Sequence, residues 1–234
     1  MRLSFLLIFW LSILSFRVTA QQLIDKTNPE TKFYVGLGLI NISHHIYYKN
    51  PTTSGEVQSG YFTPVSLNVG YKLNKRASLQ IGTAYGGSKG HVESFNKDAS
   101  FEDIAYKFNA RTRVVAIPVT MNFILFNAAK SLPIYATATL MPAFGTTKER
   151  GTKTYKNQTT TIHSSKDAGI NTFITAGLGT NFKLIEQFSA FTEVRFLKSN
   201  LNGNNSKYYD WNYESPELFK FIASIGLGIN YNFK

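Results

Sequence analysis

The chain has no cysteine among its 234 residues, which excludes disulfide staples and thiolate metal sites. It is short of acidic residues, with 14 Asp and Glu against 25 Lys and Arg and a formal net charge of +11. A basic balance suits an anionic partner, and for an exported chain the first such partners are anionic lipid and lipopolysaccharide, not nucleic acid. Beyond Ala20 there is no long apolar run, so no transmembrane helix is available there. Strong catalytic and metal motifs are also missing, and no cofactor is expected. The histidines are His44, His45, His91 and His163, all in segments expected as loops. His44 and His45 are adjacent and would point to opposite faces of a strand, so they read as solvated loop residues.

The apolar run that does exist is at the start. Arg2 precedes the mostly apolar stretch from Leu3 to Phe16, and Val18-Thr19-Ala20 ends in a small residue. This is the pattern of an export signal cleaved after Ala20. The expected organisation is a signal peptide over 1–20, a short periplasmic segment over 21–31, and a barrel domain over 32–234.

The chain beyond Ala20 is rich in Phe, Tyr, Thr, Val, Ile, Gly and Asn, the residues of strands and turns. From Lys32 onward the hydrophobic period is two. Val65, Leu67, Val69, Tyr71 and Leu73 oppose Ser66, Asn68, Gly70 and Lys72; Ala77, Leu79, Ile81, Thr83 and Tyr85 oppose Ser78, Gln80, Gly82, Ala84 and Gly86. Further strands are predicted over Phe33–Asn41, Arg113–Leu125, Leu132–Phe144, Asn171–Leu184, Phe188–Leu197 and Leu218–Phe233, with the face of Leu132–Phe144 left ambiguous by its Ala-Thr alternation. Most approach the ~9–11 residues a tilted strand needs to cross a bilayer. Short connections (74–76, 126–131, 185–187) alternate with long polar ones (41–60, 87–109, 146–168, 198–217). Bulky apolar rows lie opposite rows of glycine and charge, and lipid demands an apolar outer face. The expected fold is therefore all-β: an eight-stranded antiparallel up-and-down transmembrane β-barrel of the cell outer membrane, with short periplasmic turns and long extracellular loops.

Arg113-Val-Val-Ala-Ile-Pro-Val-Thr-Met-Asn-Phe123, Asp167-Ala-Gly-Ile followed by Ala176-Gly-Leu-Gly, Phe191-Thr-Glu-Val-Arg-Phe196 and Ile225-Gly-Leu-Gly-Ile-Asn-Tyr-Asn-Phe233 together resemble the small outer-membrane β-barrel domain common in Bacteroidota, the porin-family or PorT-like proteins. The resemblance runs from about Thr31 to the end. It implies the barrel fold and allows an accessory role in secretion or envelope assembly. The chain departs from the barrel pattern in one place: Lys234 follows the closing aromatic Phe233.

Two groups of candidate site residues emerge. Lys72, Lys183, Glu193 and Arg195 fall on lumen-facing rows and read as a charge-compensated cluster filling a narrow barrel. Lys148, Arg150, Lys153 and Lys156 lie in a basic loop, against Glu149 and Asp167, that would meet lipopolysaccharide phosphates. His163-Ser164-Ser165-Lys166-Asp167-Ala168-Gly169 faintly resembles the His-x-Ser-Asn stretch of the lipid A deacylase barrels, although Lys166 replaces the Asn. Three functions compete on these grounds: a non-enzymatic structural, interaction or envelope/secretion accessory barrel, a small-solute channel, and a lipid A-modifying hydrolase. The first is the expected one, with outer-membrane lipid, lipopolysaccharide and other envelope proteins as candidate partners.

Overall fold

The computed structural model describes residues 32–54, 57, 59–97, 103–129, 132–202 and 220–233. The export signal at 1–20, the segment 21–31, most of the predicted 198–217 loop and Lys234 lie outside the described residues.

The strands are β1 (Phe33–Ile40), β2 (His44–His45), β3 (Tyr61–Phe62), β4 (Val65–Lys72), β5 (Ala77–Lys97), β6 (Asp103–Ala116), β7 (Val119–Ala129), β8 (Leu132–Tyr155), β9 (Gln158–Lys183), β10 (Phe188–Asn200) and β11 (Lys220–Asn232). β6 and β7 are one stave interrupted at Ile117-Pro118. The first five residues of β5, Ala77–Ile81, pair with β7, and Ala84–Lys97 pair with β6. Proline has no N–H to give the ladder, yet Pro118 still accepts from Gly82 N at 3.0 Å. Counted this way, eight antiparallel staves follow one another in chain order, and β1 pairs with both β4 and β11 to close the ring. This is the expected eight-stranded up-and-down barrel, and closure leaves no edge in that part of the sheet.

The period of two sorts the side chains. On β11, Ser224 is buried and Ile225 is 60% exposed; Leu37, Leu39, Leu67, Ile81, Val115, Met121, Leu140, Leu178 and Leu227 join Ile225 on an apolar outer belt. Phe33, Phe182, Phe188 and Phe233 border the belt at the end with short turns. β8 resolves its ambiguous run by turning Tyr135, Thr137 and Thr139 inward and Ala138 and Leu140 outward. Inward glycines leave room for inward rings. A Cβ on Gly70 would run into the Tyr34 ring, and one on Gly179 would meet the Tyr135 ring at 2.5 Å.

Two expected loops are not loops. The segments 87–109 and 146–168 are mostly strand, because β5, β6, β8 and β9 continue beyond the belt as a four-stranded wing. Beyond the belt both faces of these strands carry polar residues, so hydropathy fades while strand-forming Thr, Tyr, Ile and Phe persist. Only Lys156 and Asn157 turn the β8–β9 hairpin, with φ of 47° and 62°, the two positive values of a type I′ turn.

The segment 41–60, expected to be a polar outer loop, instead folds into the mouth of the barrel. Ile42, His44, Ile46, Tyr48, Val57 and Phe62 are buried. Ile46, Tyr48 and Phe62 form one core with Ala84, Val114, Ala116, Met141, Ala143 and Phe173 from the inner wall. Full burial of side chains the size of Ile46 or Phe62 is worth ~1.5–3 kcal/mol each, so this packing holds the segment firmly.

Candidate functional site

The functional reading turns on how the barrel is filled, and three layers fill it. In the lowest, Glu193 and Arg195 stand two apart on β10 and so share its inner face. Arg195 Nη2 lies 2.7 Å from Glu193 Oε2, and Nε donates to the same oxygen at 3.1 Å. Nη1 donates to Thr139 Oγ1 and Thr175 Oγ1, both at 2.6 Å, and the Tyr135 hydroxyl donates to Glu193 Oε1 at 3.1 Å. Glu193 is only 4% exposed and Arg195 only 3%. A buried pair is tolerable only when hydrogen bonds satisfy it in this way. Lys72 and Lys183 do not join them. Lys72 lies opposite Ser78 and Lys183 opposite Ser189, at strand ends next to the short turns. Glu193 is opposite Gly179, four residues from Lys183 along β9, or ~13 Å. The four-residue lumen cluster read from the sequence is thus one central ion pair and two rim lysines, because a shared face does not imply a shared height.

The second layer is aromatic. The His44 ring stacks on Phe62 at 5.2 Å and tilts against Phe173 at 4.7 Å. The solvated reading of His44 therefore does not hold: β2 turns it into the core, while His45 turns to the Tyr61 ring. A cavity of about 40 Å³ remains between these layers, lined by Ile42, His44, Ser66, Gln80, Glu193 and Arg195 among others. That is room for a few waters at most.

The third layer ties the inserted segment to the inner wall. Asn171 Oδ1 accepts from Tyr47 N at 2.9 Å, and its Nδ2 donates to Tyr47 O at 3.0 Å, so one amide replaces a strand pairing. The Tyr48 hydroxyl bonds Thr147 Oγ1 at 2.7 Å, and Gly60 N donates to Thr112 Oγ1 at 2.8 Å. Burial pushes the Tyr48 hydroxyl up to about 12, against the opposing bond from Thr147. Asp167 accepts from the backbone N and the hydroxyl of both Thr52 and Thr53 at 2.6–3.0 Å. Burial would raise its pKa, but these bonds to the ionised form outweigh burial and hold it below the ordinary carboxylate value. Glu149 accepts from Ser54 N at 3.1 Å and from the Ser54 hydroxyl.

The basic loop expected over 146–168 also divides. Lys148 and Arg150 are exposed on the outer face of β8. Lys153 faces the other way, 5.9 Å from the centroids of both the Tyr106 and Tyr155 rings, and Lys156 sits in the tip turn over Tyr155 at 5.2 Å. Glu149 and Asp167, their expected neutralising partners, point inward to the inserted segment. His163 Nε2 does approach Ser165 Oγ at 3.1 Å, but the nearest carboxylate, Glu149 Oε1, lies 4.0 Å from that same nitrogen. A triad needs its carboxylate on Nδ1, so that Nε2 is free for the nucleophile; this arrangement lacks that order.

Sequence reasoning missed the inserted segment, although the signal was there. Ile42, His44, Ile46 and Tyr48 alternate with Ser43, His45 and Tyr47 at the same period of two used for the wall strands.

No protein-family model matches the chain, and no curated protein matches it in sequence. Solved structures do match in fold. A major outer membrane protein from Thermus thermophilus is 12% identical with a TM-score of 0.48, covering 87% of this chain and 99% of that one. Neisserial surface protein A is 10% identical with a TM-score of 0.40, covering 88% and 100%. The N-terminal β-barrel domain of Pseudomonas aeruginosa OprF is 12% identical with a TM-score of 0.38, covering 87% and 100%.

Proposed function

We propose that this chain is a non-enzymatic outer-membrane protein: a barrel sealed by its own first loop that presents a four-stranded wing outside the membrane as an interaction platform. The observation that carries the reading is the polarity of the ring, which is apolar outside and polar within. Leu37, Leu67, Ile81 and Ile225 are each more than half exposed, while Thr139, Thr175, Glu193, Arg195 and Ser224 are buried. In water such a belt would be an aggregation surface; in a bilayer it is the required exterior. The filled lumen argues for a platform over a solute channel. A signal peptide cleaved after Ala20 belongs to this reading, as does an accessory role in secretion or envelope assembly of the kind the PorT-like resemblance allows.

The test is fractionation of cells expressing the full chain. The protein should be recovered with the outer membrane, begin at Gln21, and migrate faster on gels before boiling than after. Planar bilayers containing it should show no large, stable conductance steps. Recovery as a soluble periplasmic protein would overturn the membrane reading, and large steps would overturn the sealed lumen.

A further inference from the structure

We infer that the outer face of the wing, immediately above the apolar belt, binds the phosphates of an outer-leaflet glycolipid through Lys89, Arg111, Arg113, Lys148, Arg150 and Lys166. This rests on the outer-membrane reading above.

The register aligns these residues. Lys89 is opposite Arg111, Arg111 opposite Lys148, and Lys148 opposite Lys166. Four cations thus cross four adjacent strands in one row, ~14 Å from end to end at ~4.8 Å per strand. Arg113 lies two residues below the row on β6, and Arg150 two above it on β8. All six are exposed. Among the described residues, no carboxylate makes an ion pair with any of them. Toward the barrel the same face carries Gly87, Arg113, Thr146 and Ala168, and below these the row Tyr85–Val115–Phe144–Ile170 is apolar and exposed. Toward the wing tip, Glu93 pairs with Lys107 at 2.8 Å, which ends the uncompensated positive charge.

Like charges directly opposite one another destabilise a sheet, so such a row needs a counter-anion. The nearby acids cannot supply it. Glu149 and Asp167 alternate with Lys148, Arg150 and Lys166 along the strands, so the pleat turns them to the other face, where Ser54, Thr52 and Thr53 engage them. An external anion is left to fill the role. The apolar row four residues below Lys148 and Lys166, ~13 Å along the strands, with Val115 next below Arg113 on β6, selects one with acyl chains attached: chains along Phe144 and Ile170, phosphates at Arg111, Arg113 and Lys148. A hollow lined by Lys148, Glu149, Arg150, Ser164, Ser165 and Lys166 lies open at this level.

The test is binding of bisphosphorylated lipid A to the full-length barrel folded in uncharged detergent micelles, with dephosphorylated lipid A, inorganic phosphate and a sulfated polysaccharide as comparison arms. The expected result is tight, salt-sensitive binding of the bisphosphorylated lipid and at least ten-fold weaker binding of the dephosphorylated one. Each cation removed at such a surface is worth about five-fold, so Arg111→Glu, Lys148→Glu and Lys166→Glu combined should weaken binding about 100-fold or more. The variant's heat-shifted gel band should remain, since all three side chains are exposed. Lys75→Glu with Arg76→Glu, in the short turn at the far end of the barrel, should change nothing. Equal affinity for dephosphorylated lipid A, an unaffected triple variant, displacement by inorganic phosphate, or stronger binding of the sulfated polysaccharide than of the glycolipid would each overturn the assignment. Phosphate-independent behaviour in a protein that still fractionates with the outer membrane refutes this site alone, whereas soluble recovery refutes the membrane reading first.

Discussion

Replacing Glu193 with alanine tests whether the lumen is dry enough to make a lone charge expensive. The substitution removes two of the four bonds to the Arg195 guanidinium and the acceptor of the Tyr135 hydroxyl. Hydrogen bonds to charged groups are worth ~1.5–3 kcal/mol each, but the neighbouring 40 Å³ cavity can admit a water that recovers part of the loss. The net cost should fall in the ~3–5 kcal/mol range of a broken buried pair. Removing both charges with Glu193→Leu and Arg195→Met should cost less than Glu193→Ala alone, because no buried cation is then left uncompensated. Urea titration of the barrel refolded in lipid vesicles, read by the heat-shifted gel band, measures all three proteins. A single variant costing under ~1 kcal/mol, or a double variant costing more than the single, would show that bulk water already solvates Arg195 and that the lumen is open.

Ile225→Lys places an ammonium on the outer belt and should destabilise the barrel in vesicles by ~2–4 kcal/mol; a cost under ~1 kcal/mol would invert the inside–outside assignment. Asp167 has a lowered native pKa, so its contribution is complete above the unfolded value of ~3.9 and disappears as the pH falls through the lower native one. The inserted segment should therefore stay docked at pH 5, with its Thr52 and Thr53 amides protected from hydrogen exchange, and loosen only in strong acid. Asp167→Asn should expose those amides at neutral pH and flatten the dependence; unchanged protection would mean that the aromatic layer alone holds the segment.

The barrel wall was legible in the sequence because a wall strand faces two different solvents. An apolar exterior on one side and a polar lumen on the other go with the alternation seen at Val65–Leu73 and Phe219–Phe233. The wing was not, since polar residues occur on both its faces and Lys89 or Thr152 carries no signal of side. The inserted segment was hidden by its histidines and tyrosines, which count as polar in a hydropathy reading, yet the His44 ring packs against Phe62 and Phe173 and Tyr48 joins the same core. Glu193 and Arg195 were legible as a pair because two residues on one strand fix both face and height. Lys72 and Lys183 sit on other strands, where height depends on a register that no local pattern reveals. The separation of the wing cations from Glu149 and Asp167 depends on the same register and became visible only with it.

The route by which the inserted segment is held has a consequence for how the chain folds. Its anchors are distant in sequence: Ser224 reaches Asn41 across 183 positions, Lys198 reaches Ser43 across 155, and Asp167 reaches Thr52 across 115. Contacts of such separation form late, because a long loop has to close before any of them is made. Until β8 and β9 join Ala84, Val114 and Ala116 with Met141, Ala143 and Phe173, the wall that Ile46, Tyr48 and Phe62 pack against is incomplete, and the apolar outer belt is bare as well. The unfinished chain therefore carries two sticky surfaces that mature at different moments, and anything that keeps it from aggregating must shield the first loop for as long as it shields the last strand.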